Sequence, residues 1–205
     1  MSYIIGIGGG SGSGKTTLCL KLKEIFQDDI TILQLDHYCK DVSYLSEEER
    51  KKVNFDIPSA YDGDLFCNHL RKLKNNEAID RPIYDFATHS TKKGEYVKIK
   101  PSKIILLDGI LIYQLNDALS LMNKRIFMDV SSFKRVKRRA KRDLKERGRV
   151  IKQTIKQFYD TVEPMHQIYV EPNKEVCDII FDNEKDGELN EEQVAILVNM
   201  IKESI

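Results

Sequence analysis

The chain has 205 residues, 33 Lys plus Arg against 32 Asp plus Glu, and a formal net charge of +1. That length suits one domain with a substantial core, and the balanced charge argues against a nucleic-acid or membrane partner. The four cysteines, Cys19, Cys39, Cys67 and Cys177, form no C-x-x-C pair, so neither a zinc site nor a disulfide framework is indicated and reduced thiols in a cytoplasm are expected.

Residues 3 to 7 form an apolar run broken by Gly6, with no basic residues before it and glycines close behind. This reads as a strand, not a signal peptide or a membrane span. After the glycine cluster, Leu18, Leu20, Leu22, Ile25 and Phe26 are spaced for a helix face. Between them Gly9-Gly10-Ser11-Gly12-Ser13-Gly14-Lys15-Thr16 satisfies G-x-x-x-x-G-K-[ST] in its required strand-to-helix context. Glycines let successive backbone N–H groups turn inward around a phosphate, and the helix that follows directs its positive end at the same charge. Lys15 is expected on the outer phosphates, Thr16 on Mg²⁺, and Thr17 beside the phosphates. G-x-G-x-x-G fits nowhere in residues 6 to 14, which disfavours a dinucleotide site. N-K-x-D and D-x-x-G are both missing, which disfavours a GTPase switch.

Further short apolar runs at Ile30 to Asp36, Ile104 to Asp108, Ile126 to Asp129 and Val176 to Phe181 predict strands. Helical patterns at Leu65 to Leu73, Leu115 to Met122 and Ser132 to about Arg147 lie between them, so a parallel sheet covered on both faces is expected. Arg81 to Lys100 departs from the pattern. Pro82, Gly94 and the alternation over Tyr96 to Ile99 predict a small β-hairpin insertion. Asn190 and Gln193, at capping-box spacing, open a terminal helix whose stripe is Val194, Leu197, Val198, Ile201 and Ile205.

Acids at the carboxyl ends of strands beside the phosphate strand face the ligand crevice. Asp36 and Asp108 both close such runs. Asp36 is placed to accept the proton of an attacking hydroxyl, and Asp108 to hold a water on Mg²⁺. From Lys134 to Arg149 there are ten Lys or Arg residues against Asp143 and Glu146. Arg139 and Arg142 share a helical face, and Arg147 and Arg149 flank Gly148, where a helix ends. This suits a lid over residues 139 to 160 that brings arginines onto phosphates. A nucleic-acid helix is the rival reading, but the stretch has no dimerising heptads and only Phe133 as a neighbouring aromatic.

Several longer segments resemble the uridine kinases (uridine–cytidine kinases), and the likeness runs nearly end to end. They are the loop Gly9 to Thr16, Asp36-His37-Tyr38 with Lys40, Asn54-Phe55-Asp56-Ile57-Pro58-Ser59-Ala60 followed by Asp62, and Pro82-Ile83-Tyr84-Asp85-Phe86 with His89-Ser90. Asp108-Gly109-Ile110-Leu111, Arg142-Asp143 with Glu146 to Arg149, and Glu171-Pro172 with Cys177 to Ile180 complete the order. Phosphoribulokinases share the general plan. The resemblance implies an α/β P-loop kinase fold: a five-stranded parallel sheet flanked by helices in a single domain, 1–205, with the 81–100 hairpin over the substrate and a helical lid. It implies ATP as phosphoryl donor with Mg²⁺ near Thr16, Asp36 and Asp108, a small-molecule nucleoside as acceptor, and a homotetramer. By the same resemblance Asp36 is the catalytic base and Asp56 holds the ribose hydroxyls. Tyr84, Phe86 and His89 meet the pyrimidine, with Tyr38 in the same group. Arg139, Arg149 and Gln157 serve the sugar or base, and Arg142 and Arg147 face the ATP phosphates. His37, His69 and His166 read as structural. Two positions depart from the family pattern: Asp108 where a Glu is usual, and Cys39 where a second aromatic is common.

Overall fold

A computed structural model of the chain describes residues 2–50, 52–86, 88–185 and 189–204, apart from the side chains of Glu47 and Arg147. In chain order the elements begin with β1 (Tyr3–Gly9), α1 (Lys15–Phe26), β2 (Ile30–Gln34), α2 (Glu47–Arg50) and α3 (Gly63–Lys74). The hairpin strands β3 (Ile79–Asp85) and β4 (Ser90–Ile99) follow, then β5 (Ile104–Asp108), α4 (Asn116–Leu121) and β6 (Lys124–Asp129). The last part holds α5 (Ser132–Arg147), α6 (Ile151–Gln157), α7 (Glu163–Met165), β7 (Ile179–Asp182) and α8 (Glu191–Ser204).

The near-continuous apolar character of β1 and β5 has a direct cause: both strands are covered on both faces. The five-stranded sheet runs β2-β5-β1-β6-β7, and every neighbouring pair is parallel. On one face Ile5, Ile7, Leu106 and Ile126 pack under α1 and α8, which supply Leu18, Leu22, Val194, Leu197 and Ile201. On the other, Ile4, Ile105, Leu107 and Phe127 meet Phe66, Leu70 and Leu73 of α3 and Ala118 of α4. The hairpin joins that second layer through Ile79 and Tyr84. The sheet order corrects one expectation. β2 does not adjoin the phosphate strand, because β5 lies between them, so Asp108 stands beside the loop and Asp36 one strand further out.

Other differences are local. β2 stops at Gln34, and Leu35–Tyr38 turns as a 3₁₀ helix that buries both Leu35 and Tyr38. β7 begins only at Ile179, because Pro172 leads Glu171–Val176 into a 3₁₀ turn. Gly94 lies inside β4 at φ +77°, where the pairing jumps from Tyr84↔Thr91 to Pro82↔Tyr96. The capping box of α8 is half formed: Asn190 Oδ1 accepts the Gln193 N–H at 3.3 Å, while Gln193 Oε1 is buried with no hydrogen-bond partner among the described residues. Ile205, expected on that stripe, lies outside the described residues. In the expected lid, Gly148 (φ +62°) ends α5, and α6 continues through π-helical turns and α7 to Val170. Phe158 and Val162 of that continuation pack on Val136 of α5. Among the described residues no helix is long and apolar enough to cross a membrane.

The absence of side chains at two positions of β1 makes room for Tyr113. A Cβ on Gly8 would stand 2.2 Å from the Tyr113 ring, and one on Gly6 2.9 Å from it. The Tyr113 hydroxyl accepts the Gly8 N–H at 3.2 Å and lies 2.7 Å from the Ile126 carbonyl and 2.9 Å from that of Gly6. The ring therefore braces the phosphate strand from below. Gly8→Ala should lower the unfolding free energy by about 1–3 kcal/mol through overpacking, read from the urea midpoint. An unchanged midpoint would contradict the contact.

Candidate active site

The loop between β1 and α1 takes the conformation its glycines permit. Gly12 (φ +84°) lies against the Arg135 backbone, where a Cβ would come within 2.4 Å of the carbonyl oxygen. Gly14 (φ +96°) leaves space for Asn183, whose Nδ2 donates to the Ser13 carbonyl at 2.8 Å. Lys15 is 8% exposed, and its Nζ donates to the Gly10 carbonyl at 3.0 Å. Burial lowers its pKa, and the carboxylates of Asp108 and Asp36 oppose that shift.

Asp108 ends β5 and is 4% exposed. Its Oδ2 accepts from Thr16 Oγ1 at 2.7 Å and from Gln34 Nε2 at 3.2 Å. Burial raises its pKa, with Lys15 and the Thr16 hydroxyl pulling it back. A cavity of about 1300 Å³ opens here, lined by Gly12, Gly14, Lys15, Thr16, Thr17 and Asp108. Gly9, Gly10 and Ser13 do not line it, and serve the loop from behind.

A second cavity, of about 830 Å³, lies on the hairpin side, with Asp56, Tyr84, Phe86, His89, Arg149 and Gln157 in its wall. Cys39 and Tyr61 line it as well. Burial raises the Asp56 pKa, and Arg139 opposes that rise. His89 adopts φ +53°, stacks on Phe55 at 4.7 Å with 10° between the rings, and its Nε2 lies 3.2 Å from Arg149 Nη2. Phe86 meets Tyr84 edge to face at 5.3 Å. The Tyr84 hydroxyl is buried, with no hydrogen-bond partner among the described residues. The two cavities meet at Ser11, Asp36, Tyr84, Phe86, Ile110, Arg139 and Arg142.

Tyr38, expected beside the substrate, is elsewhere. Its ring is 1% exposed, packs edge to face on Phe66, and its hydroxyl bonds His69 Nδ1 at 2.8 Å. The 3₁₀ turn after β2 presents Asp36 and Cys39 to the cavities and turns Tyr38 into the core. His69 and His166 are buried with partners, whereas His37, expected to be structural, reaches the phosphate-side cavity. Its pKa is lowered to about 4 by burial, with Arg81 adding to the shift. The Arg147 side chain lies outside the described residues.

Three contributors were given no role in the sequence: Gln34 bonds Asp108, Phe55 stacks on His89, and Asp143 gathers several arginines, while Ser11, expected on the phosphates, has its Oγ 2.9 Å from Arg139 Nη1. Only Asp143 had a usable signal, its i,i+4 spacing from Arg139.

The raised pKa of Asp108 fixes the sign of one stability effect. Its ionised form is disfavoured in the fold, so that penalty is present above the folded pKa and disappears as pH falls below it. Asp108→Asn should therefore raise the melting temperature near pH 8, and the gain should shrink toward about pH 4. A variant that melts lower at both ends of a pH series of thermal scans would contradict this.

Residues 4–189 match the Phosphoribulokinase / Uridine kinase family. The chain is 40% identical over 200 residues to a uridine kinase of Anoxybacillus flavithermus, covering 97% of this chain and 93% of the relative. It is 41% identical over 201 residues to a uridine kinase of Clostridium novyi, covering 98% and 95%. Among solved structures it superposes on one described as a "Possible Uridine Kinase" from Bacillus stearothermophilus with TM-score 0.62 at 18% identity, covering 88% of this chain and 89% of the other. A phosphate loop, a carboxylate at the junction of two cavities and a near full-length match converge: this chain belongs to the phosphoribulokinase/uridine kinase family.

Proposed function

We propose that the chain transfers the γ-phosphoryl group of ATP to the 5′-hydroxyl of uridine or cytidine, giving UMP or CMP. One observation carries the reading: Asp36 stands where the cavity of the phosphate loop meets the cavity of Asp56. A hydroxyl that enters from the Asp56 side reaches the γ-phosphorus past that carboxylate. Asp36 takes the hydroxyl proton as the new oxygen–phosphorus bond forms, and the bond to the β,γ-bridging oxygen breaks to release ADP. Lys15, Arg139 and Arg142 offset the phosphate charge, and fixed positions supply most of the remaining effect.

Asp56, desolvated in its wall, gains from hydrogen bonds that favour its charged form. The paired hydroxyls of a ribose supply two. The unpartnered Tyr84 hydroxyl accounts for a polar edge on the base, and the Phe55–His89 stack with Phe86 provides flat apolar walls. Cys39 takes the place of an aromatic wall and leaves that side wider. Mg²⁺ fits Thr16 and Asp108, hard oxygen donors at the rim of the phosphate cavity, with Asp36 nearby; bound there it would neutralise triphosphate charge. The same reading implies a cytoplasmic enzyme of pyrimidine salvage and a homotetramer, for which sedimentation at the mass of a single chain would be the contrary result.

An ADP-release assay with uridine, cytidine, pantothenate and ribulose 5-phosphate tests the acceptor. Turnover of the two nucleosides far above the other acceptors is expected, and preference for either of the others would overturn the assignment. Asp36→Asn should lower kcat by about 10²- to 10⁴-fold with ATP binding retained in an equilibrium titration. Near-normal turnover would remove Asp36 as the base. Asp56→Asn should raise the uridine KM by about tenfold or more and erase the preference over 2′-deoxyuridine. An unchanged KM ratio for the two nucleosides would count against the ribose contact.

A further inference from the structure

Asp143 is fully buried toward the C-terminal end of the basic helix α5, a place where a lone carboxylate is poorly tolerated. It is far from alone. Arg142 Nε and Nη2 donate to its Oδ1 at 3.0 and 2.8 Å. Arg139 Nε lies 3.7 Å from its Oδ2, and Arg149 Nη1 lies 3.9 Å from the same oxygen. The backbone takes part too, since the Arg149 N–H donates to the Asp143 carbonyl at 3.0 Å across the turn at Gly148.

Arg142 and Asp143 are consecutive, so on a helix they point about 100° apart. Arg142 must curl back around the helix to make its paired bonds, which removes freedom from a long side chain before any ligand arrives. Each arginine also reaches a different part of the site. Arg139 meets Ser11 of the phosphate loop at 2.9 Å and Gln157 of α6 at 3.2 Å. Arg149 meets Gln157 at 3.5 Å and His89 of the hairpin connection at 3.2 Å. Arg142 lines both cavities at their junction. One carboxylate thus ties together the phosphate loop, the lid helices and the wall of the acceptor cavity.

We infer that Asp143 is a positioning residue, which holds Arg139, Arg142 and Arg149 in register across the junction of the two cavities so that phosphate and acceptor contacts form together. The inference rests on the reading of this junction as the site of phosphoryl transfer. Asp143 lines neither cavity, so it acts through the arginines and touches no reactant. Without its charge three guanidiniums repel one another, and their geometry is set by whichever anion binds.

Asp143→Asn keeps the shape of the side chain and removes the charge. In steady-state kinetics with ATP and uridine, the folded variant should lose at least about tenfold in kcat and gain a similar factor in uridine KM. Its ATP KM should move by less than about threefold, because the loop backbone and Lys15 are untouched. A kcat and uridine KM both within about twofold of the wild type, whatever the melting temperature, would reduce Asp143 to a structural role and overturn the inference. A second measurement uses the unaltered protein and needs no acceptor, which keeps it separate from the choice of uridine. In ¹⁵N spectra of arginine side chains, Arg139 and Arg142 should give resolved Nε–H signals of restrained guanidiniums before ATP is added. Averaged signals that sharpen only with ATP would overturn the inference even if the nucleoside reading holds.

Discussion

Cationic side chains held close together repel one another unless something offsets their charge. This protein answers that constraint with buried counter-charges and carbonyls. Lys15 rests on the Gly10 carbonyl and feels Asp108 and Asp36, while Arg139, Arg142 and Arg149 share Asp143. Arg135, 2% exposed behind the loop, is paired with Glu163 at 2.7 Å. A pair buried in this way is a weak source of net stability, and its better-attested use is to define one geometry among many. These contacts join the glycine loop, α5, α6 and the hairpin connection.

The sheet supplies the frame on which the charges are hung. Five parallel strands bring their carboxyl ends to one edge, so a glycine loop from β1, an acid ending β5 and an acid after β2 arrive there from distant parts of the sequence. Asp108, on the neighbouring strand, meets Thr16 directly. Asp36, one strand further away, reaches the junction only because the chain turns sharply after Gln34. The hairpin then closes the far side and converts an open crevice into two joined cavities.

Much of this was legible in the sequence, because the signals were local. The glycine loop, the span of α5, the strand ending at Asp108 and the terminal helix each follow from spacing within a few residues. What was not legible depends on contacts between distant segments. The order of strands places β5 between β1 and β2, which no run of residues announces. By resemblance Tyr38 is a substrate contact, yet the 3₁₀ turn Leu35–Tyr38 sends it to His69. The Phe55–His89 stack joins two loops that sequence reasoning treated separately. The choice of a pyrimidine nucleoside comes from resemblance to known kinases and from no periodicity or spacing, so direct observation of the bound acceptor tests it.

That observation is a crystal structure with uridine and a non-hydrolysable ATP analogue bound together. The account requires the triphosphate along Gly12 to Thr17, the ribose on Asp56, and the 5′-oxygen within hydrogen-bond distance of the Asp36 carboxylate and in line with the γ-phosphorus. A nucleoside bound away from Asp56, or a 5′-oxygen facing any group other than Asp36, would contradict it.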